Sequence, residues 1–143
     1  MEEKRYLAFD FGLRRVGVAI SDPFGSLARP LETLVVKGRR DAIKQALKII
    51  DEYQPVAIVV GRPVNLSGDA SEIQVEADFF TAELKKRCGI PVYTEDERLT
   101  SRQAEAILHA QGKKIKGHKE NIDRIAAALI LQSFLDRRDR TGS

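Results

Sequence analysis

The sequence has few of the residues that disulfides, histidine metal sites or membrane spans require. Cys88 is the single cysteine among 143 residues, so no internal disulfide can form, which is compatible with a reducing cytosol. The two histidines are not paired, which disfavours a histidine-based zinc site. The longest apolar run, residues 125–131, is far too short to span a bilayer, and the charged N-terminal residues show no secretory pattern.

The charge balance is also modest. There are 24 Lys+Arg and 21 Asp+Glu, an excess too small to indicate nucleic-acid binding by itself. The length and a hydrophobic content of 43% are typical of one globular domain with its own core. We therefore predict a single domain over residues 1–136, followed by a disordered tail over residues 137–143.

Apolar runs alternate with turn residues along the chain and predict an α/β fold. The order βββαβαβαα begins with a hairpin and gives a mixed central sheet with helices on both faces. The predicted strands are residues 5–11, 15–21, 30–36, 55–61 and 90–94. The predicted helices are residues 40–53, one that Asp69 and Glu72 open as a capping pair, one from Thr100 to Gly112, and residues 122–136.

Two acidic residues stand where apolar residues are expected. Asp10 ends the first strand, and a lone acid there is costly unless it caps the next turn or meets a positive group. Asp123 heads the apolar face of the last helix, a place that the helix macrodipole alone does not explain. The apolar residues of that face are Ala126, Ala127, Ile130 and Phe134.

A third acidic group, residues 95–97, ends the last predicted strand, and spacing alone does not choose among its members. These acids are compatible with a solvated loop. If they instead converge with Asp10 and Asp123, their charges repel and a hard divalent cation, Mg²⁺ or Mn²⁺, would relieve the repulsion. Two such ions support phosphodiester cleavage. We then expect Asp10→Asn or Asp123→Asn to leave metal-free stability unchanged or raised.

Basic residues flank two of these acids. Arg14 and Arg15 lie in the hairpin beside Asp10, and a glycine-bounded loop before Asp123 carries four lysines. A basic loop is ordinarily just solvated, but beside an acidic metal site it could guide and clamp a phosphate backbone. The loop contains no aromatic residue, so base stacking is not indicated there.

Four blocks in order resemble the YqgF family: "FDFGLRRVGVAISD", "VVGRPVNLSG", "DERLTSRQAE" and "NIDRIAAALILQSFL". The resemblance covers residues 5–136. Members of the family are described as pre-16S rRNA nucleases and Holliday-junction-resolvase-like proteins. The resemblance implies an RNase H-like fold, a cytoplasmic location and Mg²⁺- or Mn²⁺-dependent phosphodiester hydrolysis. It also implies a part in maturing the 5′ end of small-subunit ribosomal RNA.

The resemblance places the catalytic, metal-binding acids at Asp10, Glu97 and Asp123, and so selects Glu97 from the acidic group. Two positions depart from the pattern. Gly61 stands where RNase H-like resolvases usually carry an acid, and Asn121 stands where many family members carry lysine. The residues expected to contact nucleic acid are Gly12, Arg14, Arg15, Arg98, Lys113, Lys114, Lys116 and Lys119.

The sequence therefore predicts a nuclease, a hydrolase acting on ester bonds. Precursor rRNA is the expected partner, and ribosomal particles are a further candidate. No membrane partner is expected. The sequence does not decide between a monomer and a dimer. The alternatives are a resolvase of branched DNA and a non-catalytic RNA-binding assembly factor. An actin-like ATPase also opens with an Asp-x-Gly hairpin, but it needs a second domain for which this chain lacks the length.

Overall fold

A computed structural model of the chain describes residues 3–63, 71–97 and 118–140. Within these ranges five strands form one sheet in the order β3-β2-β1-β4-β5. Strand β2 pairs antiparallel with both β1 and β3, and β4 pairs parallel with both β1 and β5. The strands are β1 Tyr6–Asp10, β2 Arg15–Ser21, β3 Ala28–Val35, β4 Ala57–Pro63 and β5 Val92–Glu97. The helices are α1 Arg39–Tyr53, α2 Glu72–Arg87 and α3 His118–Arg140. In the part of the chain so described, no helix is long and apolar enough to cross a membrane.

The central strand β1 separates two apolar cores. Because side chains alternate along a strand, Leu7 and Phe9 point to the face that α1 and α2 cover, and Ala8 points to the face that α3 covers. The neighbouring β4 repeats this pattern and is apolar on both sides. The predicted mixed sheet with helices on both faces is therefore confirmed.

The start of α2 and the bounds of β5 differ from the predictions. The Ser71 hydroxyl accepts from the Gln74 backbone N–H at 3.3 Å, and the Gln74 side chain accepts from the Ser71 N–H at 3.2 Å. This capping box opens α2, and Asp69 of the predicted capping pair lies outside the described residues. Strand β5 begins and ends later than predicted, because pairing with β4 continues through the acidic residues 95–97.

The last helix is longer than predicted at both ends. It begins at His118 instead of residue 122, and it continues to Arg140. Residues 137–140, expected in a disordered tail, are helical, and hydrogen bonds from Arg137 to Glu95 and from Arg138 to the Gly25 carbonyl tie this end to the sheet. The predicted helix from Thr100 to Gly112 and residues 141–143 lie outside the described residues.

Two glycines set how closely α3 packs on the sheet. A Cβ atom at Gly17 would lie 2.0 Å from the backbone carbonyl oxygen of Asp123, and one at Gly61 would lie 2.4 Å from the Cδ1 atom of Ile130. On the helix side, Ala126 and Ala127 are fully buried. The small residues on both surfaces therefore let the backbone of α3 come down onto β2.

We predict that Gly17→Ala lowers the free energy of unfolding by about 1–3 kcal/mol, because the new methyl group meets helix backbone, which cannot yield without moving α3. Gly61→Ala is the matched control. Its methyl group meets the flexible end of Ile130, so its cost should be clearly smaller. Urea denaturation of both variants measures the difference, and equal costs would contradict this account of the packing.

The turn between β2 and β3 depends on one carboxylate. Asp22 accepts from the backbone N–H groups of Ser26 at 2.7 Å and Leu27 at 2.9 Å, and from the Ser26 hydroxyl at 2.9 Å. The hydrogen bond from Leu27 is the largest cause of a pKa lowered to about 2, from an ordinary value of 3.8.

We predict that Asp22→Asn destabilises the protein near neutral pH and that the difference from wild type shrinks in acid. Because the folded pKa is below the unfolded one, the stabilisation is fully present above pH 3.8 and is lost as the pH falls through about 2. Unfolding midpoints over this range measure it, with the exposed Glu52→Gln as control. A stability difference between Asp22→Asn and wild type that grows toward acid pH would contradict the lowered pKa of Asp22.

Candidate active site

Asp10 ends the central strand on the face that α3 covers, and it is only 8% exposed. In the sheet it lies in register between Gly17 of β2 and Gly61 of β4. Residues directly opposite each other in a sheet share a face, so the carboxylate of Asp10 stands between two positions that have no side chain. The sheet therefore forms a gap on each side of this buried acid.

Helix α3 fills one gap with backbone atoms and the other with a side chain. Over Gly17 it places the backbone of Asp123, and over Gly61 it places the side chain of Ile130. This explains why Gly61 departs from the resolvase pattern. Ile130 occupies the space that an acidic side chain at position 61 would need.

Asp123 is thereby brought against the strand next to Asp10. The Arg15 Nε atom donates to the Asp123 Oδ2 atom at 2.6 Å, and the two side chains are 34% and 22% exposed. Asp123 is the sixth residue of α3 and lies beyond its first turn, so the helix macrodipole adds little at this position. The structure thus brings together two of the three acids that the sequence predicts.

Arg15 has a contact that the sequence did not predict. Its guanidinium is hydrogen-bonded to Asp123 and fixes the position of that carboxylate, while its expected contact with nucleic acid stays a prediction. The pair also offsets charge repulsion at Asp123. Asp123→Asn would lose this ion pair, so the expectation of unchanged or raised metal-free stability is kept for Asp10→Asn alone.

Glu95 and Asp96, near the end of β5, point to opposite faces of the sheet. Glu95 is buried and is hydrogen-bonded to Arg137, while Asp96 is exposed. Burial raises the pKa of Glu95, and the neighbouring Arg137 opposes that rise. Glu95 shares a row of the sheet with Gly61 and Asp10, yet its partner lies near the far end of α3. Sequence reasoning left Glu95 unassigned, because its partner is 42 residues away.

Glu97 is the last residue of β5 and is paired in register with Pro63. Ideal sheet spacings put its Cα atom about 12 Å from that of Asp10, two strands away. Its side chain lies outside the description. Its place among the site acids therefore stays a prediction that the topology permits.

The donor chemistry at this end of the sheet is that of carboxylate oxygens. In the described ranges, with the side chain of Glu97 outside them, no three Asp, Glu, His or Cys side chains form a group that could hold a metal ion. The described pair is Asp10 and Asp123. Two carboxylates are a donor set that fits a hard divalent cation such as Mg²⁺ or Mn²⁺ and is poorly suited to a soft metal.

The structure places the residues expected to contact nucleic acid in several different settings. Arg14 is exposed in the β1–β2 turn, and its carbonyl accepts from the Val36 N–H at 2.9 Å. The turn requires glycine at position 12, because a Cβ atom there would lie 2.5 Å from the carbonyl oxygen of Arg15. Lys119 lies in the first turn of α3 and not in a loop, and its side chain is outside the description. Arg98, Lys113, Lys114 and Lys116 lie outside the described residues.

Sequence comparison places the chain in a family. The family model "RuvX: Holliday junction resolvase" matches residues 4–137. Proteins named "Putative pre-16S rRNA nuclease" are similar over most of their length. The one from Koribacter versatilis is 43% identical over 134 residues, 94% of this chain and 88% of the relative. The one from Pseudomonas putida is 40% identical over 131 residues, 91% of this chain and 93% of the relative.

Structural comparison finds the same architecture in two resolvases. Thermus thermophilus RuvC, solved with a Holliday junction substrate, has a TM-score of 0.62 at 18% identity, covering 96% of this chain and 97% of that chain. The fowlpox virus Holliday junction resolvase has a TM-score of 0.58 at 15% identity, covering 93% and 99%. These similarities confirm the RNase H-like fold. The names of the sequence relatives confirm, at the level of the family, a hydrolase acting on ester bonds. The chain therefore belongs to the RuvX family, the one that its four sequence blocks identify through their resemblance to YqgF proteins.

Proposed function

We propose that this chain is a metal-dependent nuclease that hydrolyses phosphodiester bonds while the 5′ end of pre-16S rRNA matures in the cytoplasm. The observation that carries the proposal is the packing of Asp123 onto Gly17, directly beside the buried carboxylate of Asp10. The proposed substrate follows the printed name of the sequence relatives, "Putative pre-16S rRNA nuclease".

Asp10, Asp123 and Glu97 are the residues that would hold Mg²⁺ or Mn²⁺. When bound, such an ion supplies Lewis-acid stabilisation of the phosphate and lowers the pKa of water. Asp10 is fixed by its strand, and burial keeps bulk water from screening its charge. Arg15 holds Asp123 in one orientation, so we assign it a positioning role.

The β1–β2 turn supplies the proposed contact with the phosphate backbone. Arg14 is exposed there, four residues after Asp10 in the sequence, and Gly12 keeps the turn tight. A guanidinium at this rim would pair with phosphate oxygens and fix the position of the strand without selecting a base. Arg98 and the lysines of the basic loop are proposed to extend this contact, and ribosomal particles are proposed as further partners.

Cleavage of branched DNA is the second candidate function, because the matching family model is described as a Holliday junction resolvase. Both substrates contain the same phosphodiester group, so the carboxylates do not distinguish them. A cleavage panel does distinguish them. It comprises 5′-extended 16S rRNA precursor, unrelated single-stranded RNA and a four-way DNA junction, each with Mg²⁺, Mn²⁺ or chelator.

We predict that Asp10→Asn reduces cleavage of the precursor by at least roughly 100- to 1000-fold, about 3–4 kcal/mol of transition-state stabilisation. Its stability in chelator should be unchanged or raised, because a buried charge is removed. Initial rates and thermal unfolding measure the two effects. Asp51→Asn, at an exposed position on α1, is the matched control and should change neither.

Three outcomes would count against parts of this proposal. Full cleavage by Asp10→Asn would remove Asp10 from the site. An unfolded Asp10→Asn protein in chelator would show a structural role instead. Cleavage of the junction but not of the precursor would transfer the function to the second candidate.

A further inference from the structure

A second recess lies at the opposite end of the sheet from Asp10. It has a volume of about 630 Å³, and among its walls are three aromatic and two arginine side chains: Tyr6, Tyr93, Phe134, Arg137 and Arg138. We call this recess the aromatic cleft. Tyr6 begins β1, four residues before Asp10, so the two positions are about 13 Å apart along the strand. The cleft is thus separate from the candidate active site.

The rings of the cleft form a cluster of tilted aromatic contacts. Phe134 of α3 lies between two tyrosines, 5.2 Å from the Tyr93 ring at an interplanar angle of 31° and 6.0 Å from the Tyr6 ring at 51°. Tyr93 on β5 is 46% exposed. A tilted aromatic pair in which one residue is about half exposed can serve as a platform onto which another flat ring stacks.

Cationic groups surround this platform. The Arg138 guanidinium lies over the Tyr6 ring, 4.7 Å from its centroid, and donates to the Gly25 carbonyl at 3.0 Å. The Arg137 side chain is 57% exposed. Lys4 also lines the cleft, as does Glu3, whose carboxylate is 3.4 Å from Arg5. Arg137 is hydrogen-bonded to Glu95, so among the described residues at and beside the cleft four cations stand against two carboxylates.

We propose that the aromatic cleft binds an unpaired nucleotide of the RNA substrate, with its base stacked on Tyr93 and its phosphate near Arg137, Arg138 and Lys4. The choice of ligand class rests on the proposed function. The combination of an open aromatic ring with cations at its rim is how proteins bind single-stranded nucleic acid, and the cleft volume suits a ligand of this size. An apolar protein segment would bring no negative charge to these cations.

The test uses 2-aminopurine, a fluorescent base whose emission is quenched when it stacks. The chain contains no tryptophan, so the signal is free of indole emission. A short single-stranded RNA with one 2-aminopurine is titrated with the full-length protein in chelator, where it is not cleaved. We expect quenching on binding, and we expect Tyr93→Ser to weaken binding about 5- to 100-fold and to abolish the quenching.

Three controls isolate the stacking contact. Tyr93→Phe keeps the ring and should bind like wild type. Val75→Ser changes an exposed apolar residue on α2, the helix on the other face of the sheet, and should change nothing. An abasic strand of equal charge should bind wild type and Tyr93→Ser equally weakly.

Equal binding of the base-containing RNA by wild type and Tyr93→Ser would overturn the inference. So would the absence of quenching in wild type, or the absence of any binding of this strand. Because these measurements are made without metal and without cleavage, they fail or succeed independently of the Asp10→Asn cleavage assay. The binding site and the nuclease activity are therefore tested separately.

Discussion

The close contact between α3 and β2 at Gly17 is the constraint on which the candidate active site depends. Because position 17 has no side chain, the backbone of Asp123 lies directly against the sheet beside Asp10. A side chain there would push the helix outward and separate the two carboxylates. Close packing elsewhere in this interface, at Ala126 and Ala127, fixes the same spacing along the helix. A feature of packing thus determines the electrostatics of the site.

Bringing acids together at a buried strand end has an electrostatic cost, which neighbouring cations offset. Arg15 provides a positive charge to Asp123 at hydrogen-bond distance. Glu95, in the same sheet row as Asp10, has Arg137 as its partner. The Arg15 pair lies near the start of α3 and the Arg137 pair near its C-terminal part, because residues 123 and 137 are about 21 Å apart along the helix axis. Asp123 and Glu95 are therefore each paired with a different arginine.

The sequence was informative wherever local periodicity determined the structure. Helical spacing placed Asp123 on the buried face of α3, and the apolar run of β4 indicated a central strand. It was less informative where neighbouring residues offer the same local signal, as Ser71 and Asp69 both do for a helix cap. It was also less informative where long-range contacts decide the outcome, since the helical state of residues 137–140 accompanies contacts with β5 and the β2–β3 turn. The aromatic cleft was missed because its rings come from three distant segments.

The cleft and the carboxylates would make different demands on a nucleic acid, and together they favour one substrate form. Phosphate contacts at Arg14 are indifferent to base pairing, since every strand carries the same charge. Stacking on Tyr93 requires an exposed base face, and in a duplex both faces of each base are covered by neighbours. A molecule that uses both sites must therefore present unpaired nucleotides near the scissile bond. The single-stranded extension of a precursor RNA meets this requirement, whereas the fully paired arms of a four-way junction do not.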